Sequence, residues 1–284
     1  MSNSSQEFWY VNGTSLNTYA WAVKTFGGSP RGLPPLRGGD IPVAYRPGKL
    51  FRSKLPDSRV ISLLMWTAGI DPSTSQPASD VNLQFSDNFQ MLRNLFWTPD
   101  GQLSLTRQWR YSQPVGVGMG IPTMVAATAQ VQIAGTMDPT MTGQGRADFA
   151  IDLLLADPYF YGPSLNYTLP YGVTTNVINS GDAEAAYTSS SIQLTGPLIN
   201  PTLVNTTKGI SMTLNTVIAS GDSVTIDVGS FSAIRLSDSF NLTGAITRTG
   251  SKRWMSYGPG NNSITLTATS GSGSAYISFQ PPYI

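Results

Sequence analysis

From Tyr167 to the last residue the chain shows no helical period. Short alternating runs follow one another instead, with turn residues between them. They are Thr174–Asn179, Ile192–Thr195, Pro201–Asn205, Ile210–Leu214, Ser223–Asp227, Ala233–Leu236, Ile264–Thr269 and Ala275–Phe279. The punctuation is Ser180-Gly181-Asp182, Lys208-Gly209, Ser220-Gly221-Asp222, Gly258-Pro259-Gly260-Asn261 and Ser270-Gly271-Ser272-Gly273. A period of two residues puts alternate side chains on opposite faces of a strand, so each run offers one apolar face. Strands spaced this closely bury those faces only in a sandwich or barrel.

The first half mixes the same signal with one helix. Phe8–Asn12 and Leu16–Lys24 read as two strands, and Ile41–Tyr45 as another ahead of a turn. Arg59–Thr67 (RVISLLMWT) reads as a central strand buried on both faces. Phe85, Phe89, Leu92 and Phe96 lie on one stripe of a 3.6-residue period,. Asp80 can cap that helix, which then runs to about Trp97, and Pro99 and Gly101 stop it,. Leu103–Tyr111, Val125–Ala134 and Asp148–Ala156 are further strands, with Leu103, Leu105 and Arg107 on one side of the first. Asp157–Pro163 breaks the pattern. The reading is a mainly β chain of two domains, 1–165 and 166–284.

Composition limits the chemistry. The 284 residues include no Cys and no His. Disulfides, thiolate metal sites, Ser–His–Asp triads and ordinary zinc sites are therefore excluded. Lys and Arg number 17 against 16 Asp and Glu, and the net charge of +1 offers no basic excess for gripping phosphates,. Charged residues are 12% of the chain, against about 25% in typical soluble proteins,. A surface this poor in charge suits a protein that buries much of itself against neighbours. The opening MSNSSQEFWYVNG has no basic stretch followed by an apolar run, and no stretch of the chain is apolar for the ~18 residues of a membrane span,. The expectation is a chain that stays where it is made until assembly.

The order of several motifs resembles the distal tail proteins of long, flexible-tailed phages, especially minor tail proteins of phages infecting actinobacteria. In the first half the carriers are Trp9–Gly13 (WYVNG), Tyr19–Val23 (YAWAV), Leu33–Asp40 (LPPLRGGD), Tyr45–Gly48 (YRPG), Arg59–Asp71 (RVISLLMWTAGID) and Asp157–Tyr161 (DPYFY). In the second they are Thr202–Lys208, Ile210–Leu214, Ser220–Ile226, Trp254–Leu266 and the closing Phe279–Tyr283. The resemblance covers essentially the whole chain. It implies an N-terminal β-sandwich belt domain that forms a hexameric ring, and a C-terminal galectin-like β-sandwich. It also implies partners: other copies of the chain, the tail tube protein, the tape measure protein, the tail hub and other minor tail proteins. DNA would be passing cargo, the location the virion tail tip, and the site of synthesis the host cytoplasm. No cofactor, metal or catalytic residue is implied.

Specific residues then become candidates. Arg37, Asp40, Arg46 and Arg59 are candidate interface residues, since a guanidinium fork suits a neighbour's carboxylate or carbonyls. The plain alternative for Arg37 is an anchor of its own turn. Trp254 and Tyr257, ahead of Pro259-Gly260-Asn261, are candidates for a sugar-stacking platform, the chief alternative function being a carbohydrate-binding module. More often an aromatic before a turn packs in a sandwich core or at its edge. Asp138, Asp148 and Asp152 are the nearest approach to a carboxylate cluster, which a glycoside hydrolase would need. No second signal supports chemistry there, and scattered surface acids account for them better. Gly116–Gly120 matches no phosphate-loop pattern and reads as a flexible loop or a hairpin tip,.

Overall fold

The computed structural model describes residues 7–24, 33–42, 49–50, 54–98, 101–111, 114–115, 118–119, 123–185, 190–250 and 254–284. It is mainly β, with 54% strand and 8% helix. The chain divides into two compact units: residues 1–110 and 124–160 with residue 284, and residues 111–123 with 161–283.

In the first unit, the strands are β1 (Phe8–Val11), β2 (Thr14–Ser15), β3 (Trp21–Val23), β4 (Arg59–Ala68), β5 (Leu103–Tyr111), β6 (Thr123–Ile133), β7 (Thr140–Gly143) and β8 (Arg146–Leu155). They run in the order β2-β1-β5-β6-β8-β4-β3, with β7 paired to β8. The β8–β4 ladder is the longest, from Arg146 opposite Ala68 to Leu155 opposite Arg59. The sheet curls on itself. Leu16 N–H donates to Trp9 O at 2.7 Å and Leu16 O accepts from Val23 N–H at 3.2 Å, so one turn residue touches both ends.

Two expectations change here. Leu16–Lys24 is not one strand; only Trp21–Val23 is extended in the sheet. Thr18 Oγ1 accepts from the N–H groups of Ala20 and Trp21, and Asn17 Oδ1 from Trp9 N–H. Short polar side chains that bond nearby backbone compete with a ladder and make a turn. The Arg59–Thr67 strand is not buried on both faces either. Arg59, Ile61, Leu63, Met65 and Thr67 face the core, while Val60 is 53% exposed and Ser62, Leu64 and Trp66 are half-buried.

The helix, α1, spans Val81–Phe96, capped by Asp80 whose carboxylate accepts from Asn82 and Leu83 N–H. It lies against the sheet through Phe89, whose ring meets Phe149 edge-on at 5.6 Å. Buried Asn88 fixes its height: its amide donates to Ala68 O and Ile70 O at 2.8 and 2.9 Å. The helix start needs Gly69, because a Cβ there would stand 2.0 Å from Val81 O.

The second unit is a sandwich of two five-stranded antiparallel sheets. Its strands are β9 (Leu165–Pro170), β10 (Thr174–Asn179), β11 (Ser191–Thr195), β12 (Thr202–Asn205), β13 (Ile210–Leu214), β14 (Ser223–Asp227), β15 (Ser232–Arg235), β16 (Ile246–Thr249), β17 (Gly260–Thr267) and β18 (Ser274–Phe279). One sheet is ordered β9-β18-β11-β14-β15 and the other β10-β17-β12-β13-β16. Inward residues of both, among them Ile192, Leu194, Ile226 and Ile277 from one and Leu203, Met212, Ile264 and Leu266 from the other, form one core. Full burial of each such side chain stabilises the fold by about 1.5–3 kcal/mol. The edge strands β9 and β10 are tied together: Tyr167 Oη donates to Ile178 O at 2.8 Å and accepts from Ile178 N–H at 3.1 Å. That hydroxyl occupies backbone groups that an open edge would offer to another chain. Strands Leu165–Pro170 and Ile246–Thr249 lie outside the alternating runs seen in the sequence.

Candidate interaction surfaces

The four candidate interface residues fall in different settings. Leu36–Arg37 forms a short ladder with Leu55–Pro56. This leaves Arg37 exposed, beside Leu36 at 61% and Leu33 at 81% exposure. Asp40 is an ion-pair partner of Lys54 at 3.2 Å within the same segment. Arg59 is 6% exposed, its guanidinium 5.9 Å from the Phe160 ring centroid. Arg46 lies outside the described residues. Of the three described residues, Arg37 is exposed, Asp40 is held by Lys54 and Arg59 is buried.

A buried arginine that the sequence reading left unassigned is Arg107. It follows Leu103 and Leu105 on the inner face of β5 and is 4% exposed. Its Nη2 donates to Glu7 Oε1 at 2.8 Å, and its guanidinium lies 4.4 Å from the Trp109 ring and 5.7 Å from that of Trp9. The alternation marks the position as inward, but the partner is 100 residues away in sequence. No local signal reports that pairing.

A second feature unseen in the sequence is a groove of 670 Å³ between the C-terminal half of α1 and the segment 133–139. Phe89, Phe96, Trp97, Met137, Arg93 and Asp138 line it. Trp97 is 72% exposed although it caps the helix. Asp138 is exposed at the rim and accepts from Thr136 Oγ1 at 2.6 Å. The apolar stripe of α1 therefore serves two surfaces, with Leu92 and Phe96 inside and Phe89 shared between sheet and groove.

The proposed sugar platform has no exposed ring face. Trp254 is 6% exposed and meets Phe231 edge-on at 5.5 Å. Tyr257 is 0% exposed and stacks on Phe279 at 4.7 Å. Burial pushes its phenol well above the ordinary pKa, and the Ser190 hydroxyl beside it offsets part of that rise. Three buried asparagines hold the strap that carries these rings. Asn179 donates to Tyr257 O, Asn205 to Ser256 O and Asn262 to Gly258 O, at 3.0, 3.0 and 2.8 Å. A buried amide that meets backbone groups in a turn fixes the turn and is itself satisfied.

The three carboxylates are likewise distributed. Asp148 is paired with Lys24, Asp152 accepts from Ser62 Oγ, and Asp138 stands at the groove. Among the described residues no three His, Cys, Asp or Glu side chains gather as metal ligands. No described helix is long and apolar enough to cross a membrane. Pro114–Val115 and Gly118–Met119 pair as a small hairpin, the tip itself lying outside the described residues.

An N-terminal curled sheet carrying one helix, followed by a ten-stranded sandwich, defines the class: a two-unit, mainly β fold. By sequence, no family model matches the chain. No curated protein matches it either. Among solved structures, the fold is that of the Dit protein (gp 19.1) of phage SPP1, described as a paradigm of hub adsorption apparatus in phages infecting Gram-positive bacteria. The two superpose with a TM-score of 0.57 at 14% identity, over 98% of this chain and 100% of that one. A chain of the activated phage P2 baseplate with calcium is also similar, at a TM-score of 0.37 and 10% identity over 96% and 98% of the two chains.

Proposed function

We propose that the chain is a structural protein of a phage tail tip, and that copies of it form a ring, six in number, around the channel through which the genome leaves. The observation that carries this reading is the end-to-end likeness to the SPP1 hub protein, which spans both units in one chain. Motif order in the sequence points the same way. The ring would join the tail tube protein to the tip machinery, meeting the tape measure protein, the tail hub and other minor tail proteins. DNA passes without being gripped, which suits a net charge of +1,. The role requires no catalysis and no cofactor. The chain would be made in the host cytoplasm and end in the virion.

Native mass spectrometry of the purified full chain tests the ring. Six copies of a 30.4 kDa chain are expected as the principal species. A chain that remains monomeric at tens of micromolar, with and without the tail tube protein, contradicts the reading.

A further inference from the structure

We infer that the groove beside α1 is the socket for the Leu33–Arg37 segment of the next copy, with Arg37 of one copy paired to Asp138 of its neighbour. The inference rests on the homo-oligomeric reading above and assigns the two complementary surfaces.

Both halves of the contact are preformed. The donor segment is held to its own unit by the Leu36–Arg37 ladder with Leu55–Pro56, by Asp57 N–H donating to Pro35 O at 2.8 Å and by the Asp40–Lys54 ion pair. Pro34 and Pro35 restrict its backbone further,. It nevertheless carries two of the most exposed leucines in the chain, Leu33 at 81% and Leu36 at 61%, with a cation directly after them. A rigid segment with apolar side chains outward loses little entropy on docking.

The acceptor offers the complement. Its apolar walls are Phe89, Trp97 and Met137, Arg93 of α1 also lines it, and its far rim on segment 133–139 carries the exposed Asp138 carboxylate. Its 670 Å³ lies in the range of about 300–1,000 Å³ that receives ligand-sized groups, so two leucine side chains are within its capacity,. Exposed tryptophan and arginine are the residues that most often dominate interface energies. The order of chemistry matches: apolar groups followed by a cation on one side, apolar walls with an anion at the rim on the other. Because knob and socket are different patches of one surface, the contact is heterologous. Repetition of such a contact closes into a ring when the rotation allows, whereas a two-fold dimer needs a self-complementary patch.

The absence of native cysteine makes the test direct. A chain carrying Leu36→Cys and Met137→Cys is assembled and mildly oxidised. The expected result is a ladder of covalent multimers on a denaturing gel, while each single variant alone gives none. In parallel, Arg37→Glu or Asp138→Arg alone should weaken self-association roughly a hundredfold, and the two together should restore most of it. All positions changed in the charge swap are exposed, and unchanged thermal unfolding confirms intact folding. A wild-type chain that assembles normally while the double-cysteine chain gives no ladder overturns this socket and leaves the ring reading standing. A disulfide confined to single copies, seen as a faster-migrating monomer, also overturns it. A wild-type chain that never assembles removes both.

Discussion

The two units differ in the charge they bury, although both bury asparagine amides. The N-terminal unit places two guanidinium groups inside, Arg59 at 6% and Arg107 at 4% exposure. The C-terminal sandwich buries no charge among its described residues; its inner polar groups are Asn179, Ser190, Asn205, Ser256 and Asn262. A buried amide is satisfied by backbone carbonyls and amides, some in its own turn and some distant in sequence, as Tyr257 O is for Asn179 and Ser256 O for Asn205,. A buried guanidinium needs a carboxylate or an aromatic wall, usually brought from far along the chain. The sandwich is therefore stabilised mainly by apolar packing between its sheets. The curled sheet in addition encloses guanidinium groups, and it also carries the groove and the exposed Leu33 and Leu36. The surfaces proposed to meet a second copy lie in the unit whose interior is least purely apolar.

That contrast can be broken at defined points, with hydrogen exchange reading each unit separately. The largest effect is expected from Phe279→Ala, which removes a ring stacked on Tyr257 and Tyr167 at the centre of the sandwich. About 4 kcal/mol should be lost, confined to residues of the second unit. A loss shared equally by both units would erase the distinction. Next, Arg107→Met strands Glu7 in the first unit and should cost about 3 kcal/mol,. Adding Glu7→Leu should recover most of that. Failure of the second change to help would mean the aromatic contacts with Trp9 and Trp109, rather than the ion pair, hold Arg107 in place.

Smaller is Asn205→Ala, which frees the carbonyl of Ser256 and the N–H of Lys208. A loss of about 2 kcal/mol is expected, with faster exchange near Tyr257. The smallest effect at neutral pH belongs to Tyr257→Phe, near zero, and it grows only in alkali. Burial raises the Tyr257 phenol above its ordinary 10.0. The folded state holds that proton more tightly than the unfolded one, so the contribution is complete below pH 10 and is lost as pH rises beyond it. Denaturation at pH 8 and pH 11 should therefore show the wild-type chain losing more stability than the variant. Equal losses would contradict the burial assigned to this hydroxyl.

How much was legible in the sequence follows from the range of each interaction. Helix α1 was readable because its signals are local: a capping Asp80, a 3.6-residue stripe and a stop at Pro99. Strands β10, β13 and β14 were readable to the residue, since alternation and flanking turns are also local. Strand β16 was not, because its sequence Ile246–Thr249 is exposed at three of four positions and alternates weakly. Trp254 and Tyr257 were open to two readings, a sugar platform or core packing, because a turn follows them. What buries them is Phe231 and Phe279, and the asparagines that pin their strap. The groove was hidden for a similar reason: Phe89 and Phe96 satisfy a core stripe, and nothing near them announces that segment 133–139 comes alongside. Of the candidate interface residues, Arg37 and Arg59 carry the same side chain in different local sequence. The β-rich run that Arg59 opens marks its position as inward, whereas the Pro- and Gly-rich stretch around Arg37 reports no burial.

The central claim, a ring-forming tail-tip protein, is tested most directly by cryo-electron microscopy of intact particles that contain this chain. The account predicts density for both units repeated with rotational symmetry around the channel, at the junction of tube and tip. Density confined to peripheral fibres, or none in the particle, would contradict it.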